Sequence, residues 1–347
     1  MFNYIIINKA NLINNIKQVK ANNPKSKICA MVKANAYGVG QTEVVEILDK
    51  YVDCFGVACF FEAQSVGKLT NKKILIVGAL EKENIDERFS YACHSLEDVD
   101  FLINTGKKIC VHLKVNTGMN RFGLSSVKEF KSALRKIKKS NLILEGVFTH
   151  FATGDNYVDK QMDEFNEYLK ILKRKKLKPL IHADNSFVQE NLNHSLDMVR
   201  VGFCLYNQND RKYKSVVEIK TQVVQINKVK KDDLVGYDYR CVASKKMKVA
   251  VLPVGYADGI DLRLIGFKLN INGEQCKILN ICMDCCMVDV TDIKIKKEDY
   301  VYLLNKDNPL KNYSKYLNVS EYQVMCNFSK MRARRLISIS HWENEQD

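Results

Sequence analysis

Eight short apolar segments in the first 206 residues restrict the possible folds of this chain more than any other feature. They occur at 27–34, 53–60, 73–80, 89–95, 108–115, 142–150, 179–185 and 197–206. Amphipathic helical patterns lie between several of them, at 42–51, 61–69, 127–139 and 161–176. Apolar strands that alternate with amphipathic helices are typical of a parallel sheet covered by helices. Eight such units predict an α/β protein with a closed eight-stranded (β/α)8 barrel over residues 1–212.

A different pattern begins at about residue 213. Apolar and polar residues alternate in 215–231, 245–256, 267–283 and 299–304, and period-two alternation predicts half-buried strands. The pair Asn272-Gly273 between two such runs is a strong signal for a tight hairpin turn. We therefore predict a mostly antiparallel β domain over residues 213–347, with one helix within 317–329. In the barrel, the helix of 161–176 should bury a stripe made by Met162, Phe165, Leu169 and Leu172.

The composition fits a protein with a full hydrophobic core and no membrane segment. Hydrophobic residues make up 46% of the chain. The sequence contains no apolar run of about 18 residues and no leader pattern at its start. We therefore expect a soluble, cytoplasmic protein that does not bind a membrane.

Cysteine spacing and charge argue against two other classes of protein. The 12 cysteines lie mostly in apolar segments without the paired spacing of a zinc site, so we expect reduced thiols and no metal. The net charge of +14 comes mostly from lysines spread along helical patterns. No nucleic-acid-binding motif accompanies these lysines, so we expect no nucleic-acid partner.

Polar residues lie at or just after the C-terminal ends of five predicted barrel strands, where this fold carries its active sites. They are Lys33, Lys114, Arg121, His150, His182, Asn185, Ser186, Arg200 and Gly202. Each alone has an ordinary explanation: a histidine in a core, an arginine or lysine in an ion pair, or a serine that caps a helix. Their shared location favours a functional site.

Two features of this set indicate a cofactor. The loops after the seventh and eighth strands of such barrels often bind phosphate, and Ser186 and the Gly202 backbone lie there. Lys33 ends an apolar strand, where a lysine is costly to desolvate without a partner or a covalent task. No Walker-type glycine loop is present. These features together indicate a pyridoxal-phosphate enzyme with Lys33 as the Schiff-base amine.

Nine segments of the chain resemble motifs of one enzyme family. They are VKANAYG (32–38), VNTGMNRFG (115–123), THFATGD (149–155), IHADNS (181–186), VRVGF (199–203), VGYDYR (235–240), VGYADG (254–259), ICMD (281–284) and YQVMC (322–326). The chain is similar to alanine racemases, the barrel-type amino-acid racemases, from its first residues to about Arg335. The resemblance implies pyridoxal 5'-phosphate as cofactor and a homodimer whose subunits share their active sites.

The resemblance assigns cofactor contacts to residues of the matching motifs. Lys33 would hold the cofactor covalently and act as one acid/base group. Arg200 would contact the pyridine nitrogen and His150 would bond to Arg200. Because arginine does not release its proton, the pyridine would stay unprotonated and be a weaker electron sink. The other implied cofactor-binding residues are Tyr37, Asn185, Ser186, Gly202, Phe203 and Tyr322.

The same resemblance assigns the groups around the substrate. Tyr237 would be the second acid/base group, with His182 as the partner that makes a tyrosine an effective base. Arg121 would orient the substrate carboxylate, the Met283 backbone would contact that carboxylate, and Tyr256 would line the substrate entrance. Tyr237 and Met283 would be donated by the partner subunit.

The chain departs from the family pattern at several positions. Val39 replaces a usual histidine, for which we expect a local packing change, and Asn116 replaces a usual aspartate. Asp238 follows Tyr237 where the family has a small residue, and Asn280 replaces a usual arginine, which should alter the charge near the substrate entrance. Lys114 matches a lysine that is carbamylated in some members.

The function implied by the resemblance is interconversion of L-alanine and D-alanine by a two-base mechanism that uses Lys33 and Tyr237. The D-alanine would supply peptidoglycan. Alternatives are a broader racemase that acts on serine, lysine or other amino acids, and a non-catalytic protein that binds pyridoxal phosphate. A decarboxylase of the same barrel class is disfavoured by Arg200. The β domain disfavours the non-catalytic reading, because such proteins are typically a single barrel.

Overall fold

A computed structural model of the chain describes residues 2–153, 156–186, 196–206 and 212–339. The described residues form two compact units. One contains Leu12–Ala36 and Gln41–Lys214, and the other contains the residues up to Asn11, Tyr37–Gly40 and the residues from Ser215 onward. The last eight residues of the predicted second domain, 340–347, lie outside the described part.

The first unit is built on a closed barrel of eight parallel strands. In chain order these are β2 (Lys27–Met31), β3 (Cys54–Val57), β4 (Lys73–Ile76), β5 (Ser90–Cys93), β6 (Cys110–Lys114), β7 (Ile143–Phe148), β8 (Leu180–His182) and β9 (Met198–Val201). Each strand pairs with the next, and β9 closes the barrel against β2 with Lys27 opposite Met198. Each predicted apolar segment contains one of these strands, so the predicted barrel is confirmed.

One helix precedes the first barrel strand, and helices follow most of the barrel strands. They are α1 (Lys9–Asn22), α2 (Gln41–Leu48), α3 (Phe60–Val66), α4 (Leu96–Asn104), α5 (Val127–Lys138), α6 (Tyr157–Arg174) and α7 (Phe203–Tyr206). Ser95 and Ser126 cap α4 and α5, because each hydroxyl accepts a hydrogen bond from the backbone N–H three residues later. Among the helices described, none has the length and apolar character needed to cross a membrane.

Helix α6 buries a stripe that overlaps the predicted one at Phe165 and Leu172. Gln161, Phe165 and Tyr168 are buried, whereas Met162 and Leu169 are only half-buried. The difference arises because Gln161, a polar residue, is wholly buried: its Oε1 accepts from the backbone N–H of Ala152 at 2.8 Å. The prediction is therefore confirmed for Phe165 and Leu172 and wrong for Met162 and Leu169.

The second unit contains two sheets. Its strands are β1 (Tyr4–Asn8), β10 (Val217–Gln222), β11 (Gln225–Val229), β12 (Met247–Leu252), β13 (Lys268–Ile271), β14 (Glu274–Ile281), β15 (Cys286–Asp289), β16 (Tyr300–Leu304) and β17 (Arg334–Ser338). The sheet orders are β16-β10-β1-β17 and β11-β12-β15-β14-β13. All pairs are antiparallel except β1 with β17. The mostly antiparallel second domain is thus confirmed.

Two details of this unit differ from the sequence-based picture. Strand β1 pairs with β10 and β17, although the sequence division grouped residues 1–212 with the barrel. The predicted helix within 317–329 is present as α9 (Glu321–Asn327), and a further helix, α8 (Leu310–Leu317), precedes it. The Asn272-Gly273 turn joins β13 to β14 as predicted, with φ angles of 54° and 88°.

Phe165→Ala should lower the free energy of unfolding by about 3–5 kcal/mol, because removing a fully buried ring leaves a cavity in a packed core. Leu169→Ala, one turn further along α6 and only half-buried, should cost clearly less. Urea unfolding followed by circular dichroism measures both. Equal losses for the two variants would support the sequence-derived stripe and contradict the observed one.

Candidate active site

A buried arginine lies where β7, β8 and β9 end. Arg200 belongs to β9 and is 5% exposed. Its Nη2 donates to the carbonyl oxygens of Thr149 and Ala183 at 3.0 and 3.1 Å, and its Nη1 donates to Nδ1 of His182 at 2.6 Å. Burial lowers the pKa of Arg200 to about 10, so the guanidinium stays charged at neutral pH.

The bonds of Arg200 fix the protonation of two histidines. Nη2 of Arg200 also donates to Nδ1 of His150, at 3.2 Å. Since arginine only donates, Nδ1 of both His150 and His182 accepts, and each neutral ring carries its proton on Nε2. Burial and the charge of Arg200 hold the pKa of both imidazoles well below the usual value, which agrees with neutral rings.

A chain of hydrogen bonds continues from Arg200 through the barrel interior. His182 Nε2 lies 2.8 Å from Nδ1 of His112, and Nε2 of His112 lies 3.2 Å from Oε2 of Glu145. Because His182 carries its proton on Nε2, it donates to His112, which in turn donates to the carboxylate. Burial raises the pKa of Glu145, but the hydrogen bonds from His112 and Ser90 outweigh it and hold that pKa at about 2. The chain therefore ends on a carboxylate anion.

This series of hydrogen bonds corrects one prediction made from the sequence. His182 was expected to be the partner of Tyr237. In the structure it is wholly buried, and both of its ring nitrogens are bonded inside the barrel, to Arg200 and His112. A ring with both nitrogens engaged has none left for a tyrosine hydroxyl. His150 is the better candidate, because its Nε2 makes no hydrogen bond to any described residue.

Lys33 lies two residues after the end of β2 and begins a left-handed helical turn. Residues 34–36 have φ between 52° and 54°, a conformation that costs L-residues about 1–2 kcal/mol each. Ala34 N donates to Oε1 of Glu62 at 2.6 Å, and Gln41 N donates to Oδ1 of Asn35 at 2.7 Å. Such backbone persists only where neighbouring groups hold it, commonly at functional sites. The turn fixes the backbone that carries Lys33.

Lys114 is a buried lysine among other cations. It ends β6, is 4% exposed, and its Nζ lies 5.9 Å from the ring centroid of Phe148. Burial, followed by the charges of Arg121, Arg200 and Lys33, lowers the pKa of Lys114 to about 7. A large share of this amine is therefore uncharged at neutral pH, and an uncharged amine is a nucleophile.

Arg121 lies in the loop after β6 and is exposed. The loop is held by Asn116, whose Oδ1 accepts from the backbone N–H groups of Gly118 and Asn120 at 3.2 and 2.9 Å. An aspartate could accept the same two bonds, so the replacement of the family's aspartate by Asn116 preserves the acceptor that shapes this loop.

Ser186 and Gly202 form a polar group at the start of α7. The Gly202 N–H donates to Oγ of Ser186 at 2.9 Å, and Phe203 begins the helix immediately after. Asn185 precedes Ser186 in the segment that follows β8. A hydroxyl and backbone N–H groups at a helix start form a favourable setting for a phosphate.

The remaining predicted site residues belong to the second unit. Tyr237, Tyr256, Met283 and Tyr322 all expose between 44% and 70% of their surface. The VGYADG and ICMD motifs run side by side, because Tyr256 N donates to the Cys282 carbonyl at 3.0 Å and Ala257 N donates to that of Met283 at 3.1 Å. The two motifs thus present Tyr256 and Met283 together.

Tyr37 and Tyr322 also meet within the second unit. Their ring centroids lie 6.2 Å apart. Val39, two residues after Tyr37, is wholly buried, and its carbonyl accepts from Nε of Arg335 at 3.0 Å. At this position the chain therefore has an apolar packing residue where the family usually has histidine.

Sequence reasoning missed His112 and Glu145. His112 lies in an apolar segment, where the sequence gives no reason to distinguish it from an isolated polar residue of a strand. One signal was present: His112 and Lys114 are two residues apart in β6, and alternate residues of a strand point to the same face. Glu145 carried no comparable signal, because its partners Ser90 and His112 lie in other strands.

The donors in the barrel fit pyridoxal phosphate. Nε of Arg200 makes no hydrogen bond within the described part of the chain, so it can donate to a ring nitrogen. The Ser186 and Gly202 group suits a phosphate. Lys33, Lys114, Arg121 and Arg200 are near enough that their charges depress the pKa of His150 after burial does. Such a concentration of positive charge favours an anionic ligand.

Comparison with known proteins agrees with this chemistry. Residues 7–210 match the family model of the alanine racemase N-terminal domain, and residues 216–337 match that of the C-terminal domain. The chain is 33% identical to the alanine racemase of Helicobacter pylori strain Shi470 over 369 aligned positions, which cover 95% of this chain and 98% of that protein.

Solved structures give the same result. The alanine racemase of Clostridium difficile 630 has a TM-score of 0.91 at 28% identity, with 98% of this chain and 96% of that chain covered. The alanine racemase of Bacillus anthracis with bound L-Ala-P has a TM-score of 0.91 at 26% identity, with 97% and 95% covered. The chain belongs to the alanine racemase family, whose members are isomerases that depend on pyridoxal phosphate.

Proposed function

We propose that this protein interconverts L-alanine and D-alanine with bound pyridoxal 5'-phosphate. The observation that carries the proposal is the setting of Arg200, a buried cation whose Nη atoms are held by Thr149, His150, Ala183 and His182, while its Nε makes no hydrogen bond to a described residue. Membership of the alanine racemase family supports the substrate, as does the L-Ala-P bound to the relative from Bacillus anthracis.

The cofactor would be held at three points. Lys33 would hold it covalently through Nζ, and Arg200 would donate from Nε to its ring nitrogen. Ser186 with the N–H groups of Gly202 and Phe203 would bind its phosphate, and we assign Asn185, Tyr37 and Tyr322 to the same cofactor by family resemblance. Bound pyridoxal phosphate supplies the electron delocalisation that makes the α-proton of an amino acid acidic.

Arg200 favours proton return over other reactions of the substrate. A guanidinium with a pKa of about 10 donates a hydrogen bond at neutral pH but keeps its proton. The ring nitrogen of bound pyridoxal phosphate would then stay unprotonated, and electron delocalisation would be limited. Limited delocalisation disfavours transamination and decarboxylation relative to returning a proton to the α-carbon.

Two groups would move the proton on opposite faces of the substrate. Lys33 would remove or return the α-proton of D-alanine, and Tyr237 would do so for L-alanine. Arg121 would pair with the substrate carboxylate, and the Met283 backbone N–H would donate to it. Tyr256 would line the path by which substrate enters.

A tyrosine hydroxyl ordinarily has a pKa near 10, so its use as a base requires a donor that stabilises the phenolate. We assign this task to His150 in place of His182. Nδ1 of His150 accepts from Arg200, which leaves the protonated Nε2 to donate to the Tyr237 oxygen. A positive charge behind the imidazole strengthens that donor.

The active form would be a homodimer in the cytoplasm. In this arrangement Tyr237 and Met283 of one subunit complete the barrel site of the other. Their exposure, 70% and 54% of their surface, suits residues that act in a neighbouring subunit. The D-alanine formed would be used for peptidoglycan.

The first test is the formation of D-alanine from L-alanine by purified protein loaded with pyridoxal phosphate, beside a panel of other L-amino acids. Alanine should be racemised faster than serine, lysine and the other amino acids. Faster racemisation of another amino acid would show that the alanine assignment is wrong. Retention of the cofactor without any racemisation would favour the non-catalytic alternative.

Lys33→Ala should lower racemisation by more than about 10²-fold, because loss of an acid/base group alone costs that much. The matched control is Lys27→Ala, which removes an exposed lysine from the start of β2, the strand that precedes Lys33. After borohydride reduction, mass spectrometry should find the cofactor bound in the control and not in Lys33→Ala. Full activity of Lys33→Ala without added amines would contradict the assignment.

We propose that the uncharged Lys114 amine takes up CO2, forming an N–C bond and releasing one proton. At constant dissolved CO2, the carbamate fraction should rise as pH increases through about 7, because the neutral amine is the reacting form. Carbon-13 NMR of protein equilibrated with labelled CO2 measures this fraction. The signal should vanish in Lys114→Arg, and its persistence there would refute the assignment.

A further inference from the structure

Asn280 and Tyr237 are joined by a direct hydrogen bond within the second unit. Asn280 is 1% exposed and lies in β14. Its Nδ2 donates to the carbonyl oxygens of Val235 and Tyr237, both at 3.0 Å, and its Oδ1 accepts from the backbone N–H of Ile281 at 2.8 Å. The side chain therefore has a partner for its acceptor and for both of its donors.

The segment that carries Tyr237 is also held by backbone hydrogen bonds, from Val235 N to the Cys241 carbonyl at 2.9 Å and from Arg240 N to the Tyr237 carbonyl at 3.4 Å. Val235 is packed in a small core, but Tyr237, Tyr239 and Val242 expose 70%, 82% and 48% of their surface. Asp238 and Tyr239 have φ of 61° and 50°, so the tip of the segment is a left-handed turn of non-glycine residues. A protruding turn with strained backbone depends on the bonds at its base, and Asn280 provides two of them.

Gly236 allows the segment that carries Tyr237 to approach the Asn280 side chain closely. Its φ is 76°, and a Cβ atom there would lie 2.5 Å from Nδ2 of Asn280. Only a glycine satisfies both conditions, because it has no Cβ and accepts a left-handed backbone. The peptide before Tyr237 is thus shaped to receive the Asn280 amide.

We propose that Asn280 is a positioning residue for racemisation, which sets the place of the Tyr237 hydroxyl by clamping the backbone on both sides of Gly236. It does so in a chain that lacks the arginine usual at this position. The proposal rests on the proposed function, because it gives Tyr237 the proton transfer on the L-alanine face. Asn280 itself contacts no reacting atom in this proposal.

Asn308 provides a matched control in the same unit. It is 2% exposed, its Nδ2 donates to the carbonyls of Asn270 and Tyr302, both at 2.9 Å, and its Oδ1 accepts from Asn270 N at 2.8 Å. The bonding pattern equals that of Asn280, but it holds β13 and β16 rather than the Tyr237 segment.

The test compares Asn280→Asp with Asn308→Asp in the loaded enzyme. Each change replaces the donating amide by a carboxylate that cannot donate to two carbonyls, so both should lower thermal stability to a similar degree. Asn280→Asp should lower kcat by about 10- to 100-fold, since small misplacements of a reacting group have effects of that size. Asn308→Asp should keep kcat within about twofold of wild type, because no reacting group is moved.

Deuterium exchange distinguishes positioning from general destabilisation. In D2O, Lys33 can remove the α-proton of D-alanine and return a deuteron to the same face, which yields labelled D-alanine. Delivery by Tyr237 to the opposite face yields L-alanine. Asn280→Asp should raise the early ratio of labelled D-alanine to L-alanine by about 10-fold or more, and Asn308→Asp should leave that ratio at the wild-type value.

An unchanged ratio in Asn280→Asp, with wild-type protein racemising alanine, would overturn the positioning role. An inactive wild type would instead overturn the proposed function. If Asn280→Asp does not fold, Gly236→Ala tests the same positioning role, because the added Cβ displaces the Asn280 amide. It too should raise the exchange ratio, and a wild-type ratio in Gly236→Ala would overturn the proposal.

Discussion

The burial of a permanently charged guanidinium inside the barrel is the constraint on which the candidate site depends. A buried charge is costly unless it is hydrogen-bonded. Arg200 meets this condition through hydrogen bonds to two carbonyl oxygens and two imidazoles. The imidazole of His182 relays the interaction through His112 to the anionic Glu145. Burial and the charge of Arg200 keep the imidazoles of His150 and His182 neutral, and the hydrogen bonds of the described residues leave Nε of the arginine for a ligand.

The same electrostatics govern the other cations of the site. Burial, followed by the positive charges of Arg121, Arg200 and Lys33, lowers the pKa of Lys114 to about 7. Such a group of cations is stabilised when anions bind, because each bound negative charge attracts several of them. A cofactor phosphate, a substrate carboxylate and a lysine carbamate are three anions of suitable chemistry. The left-handed turn after Lys33 shows that backbone strain is also concentrated here.

The sequence predicts the barrel well because continuous apolar strands and turn signals are local features. Pairing between distant segments is not local, so β1 could not be assigned to its partner β17, more than 300 residues away. The same limit applies to the site. Lys33 and Arg200 are predicted from their positions at the ends of strands. His112 has apolar neighbours in the sequence, and its part in the site is visible only from its hydrogen bond to His182. In the sequence, Asn280 is only the replacement of a usual arginine. Its hydrogen bond to the segment that carries Tyr237 is visible only in the structure.

The most direct test of the role of Arg200 is nitrogen-15 NMR of the intact enzyme loaded with pyridoxal phosphate labelled at the ring nitrogen. A ring nitrogen that accepts a hydrogen bond from the guanidinium, without taking its proton, should give the chemical shift of an unprotonated pyridine across neutral pH. A shift typical of a protonated pyridinium would contradict the assignment of Arg200, and with it the explanation for racemisation in preference to other reactions.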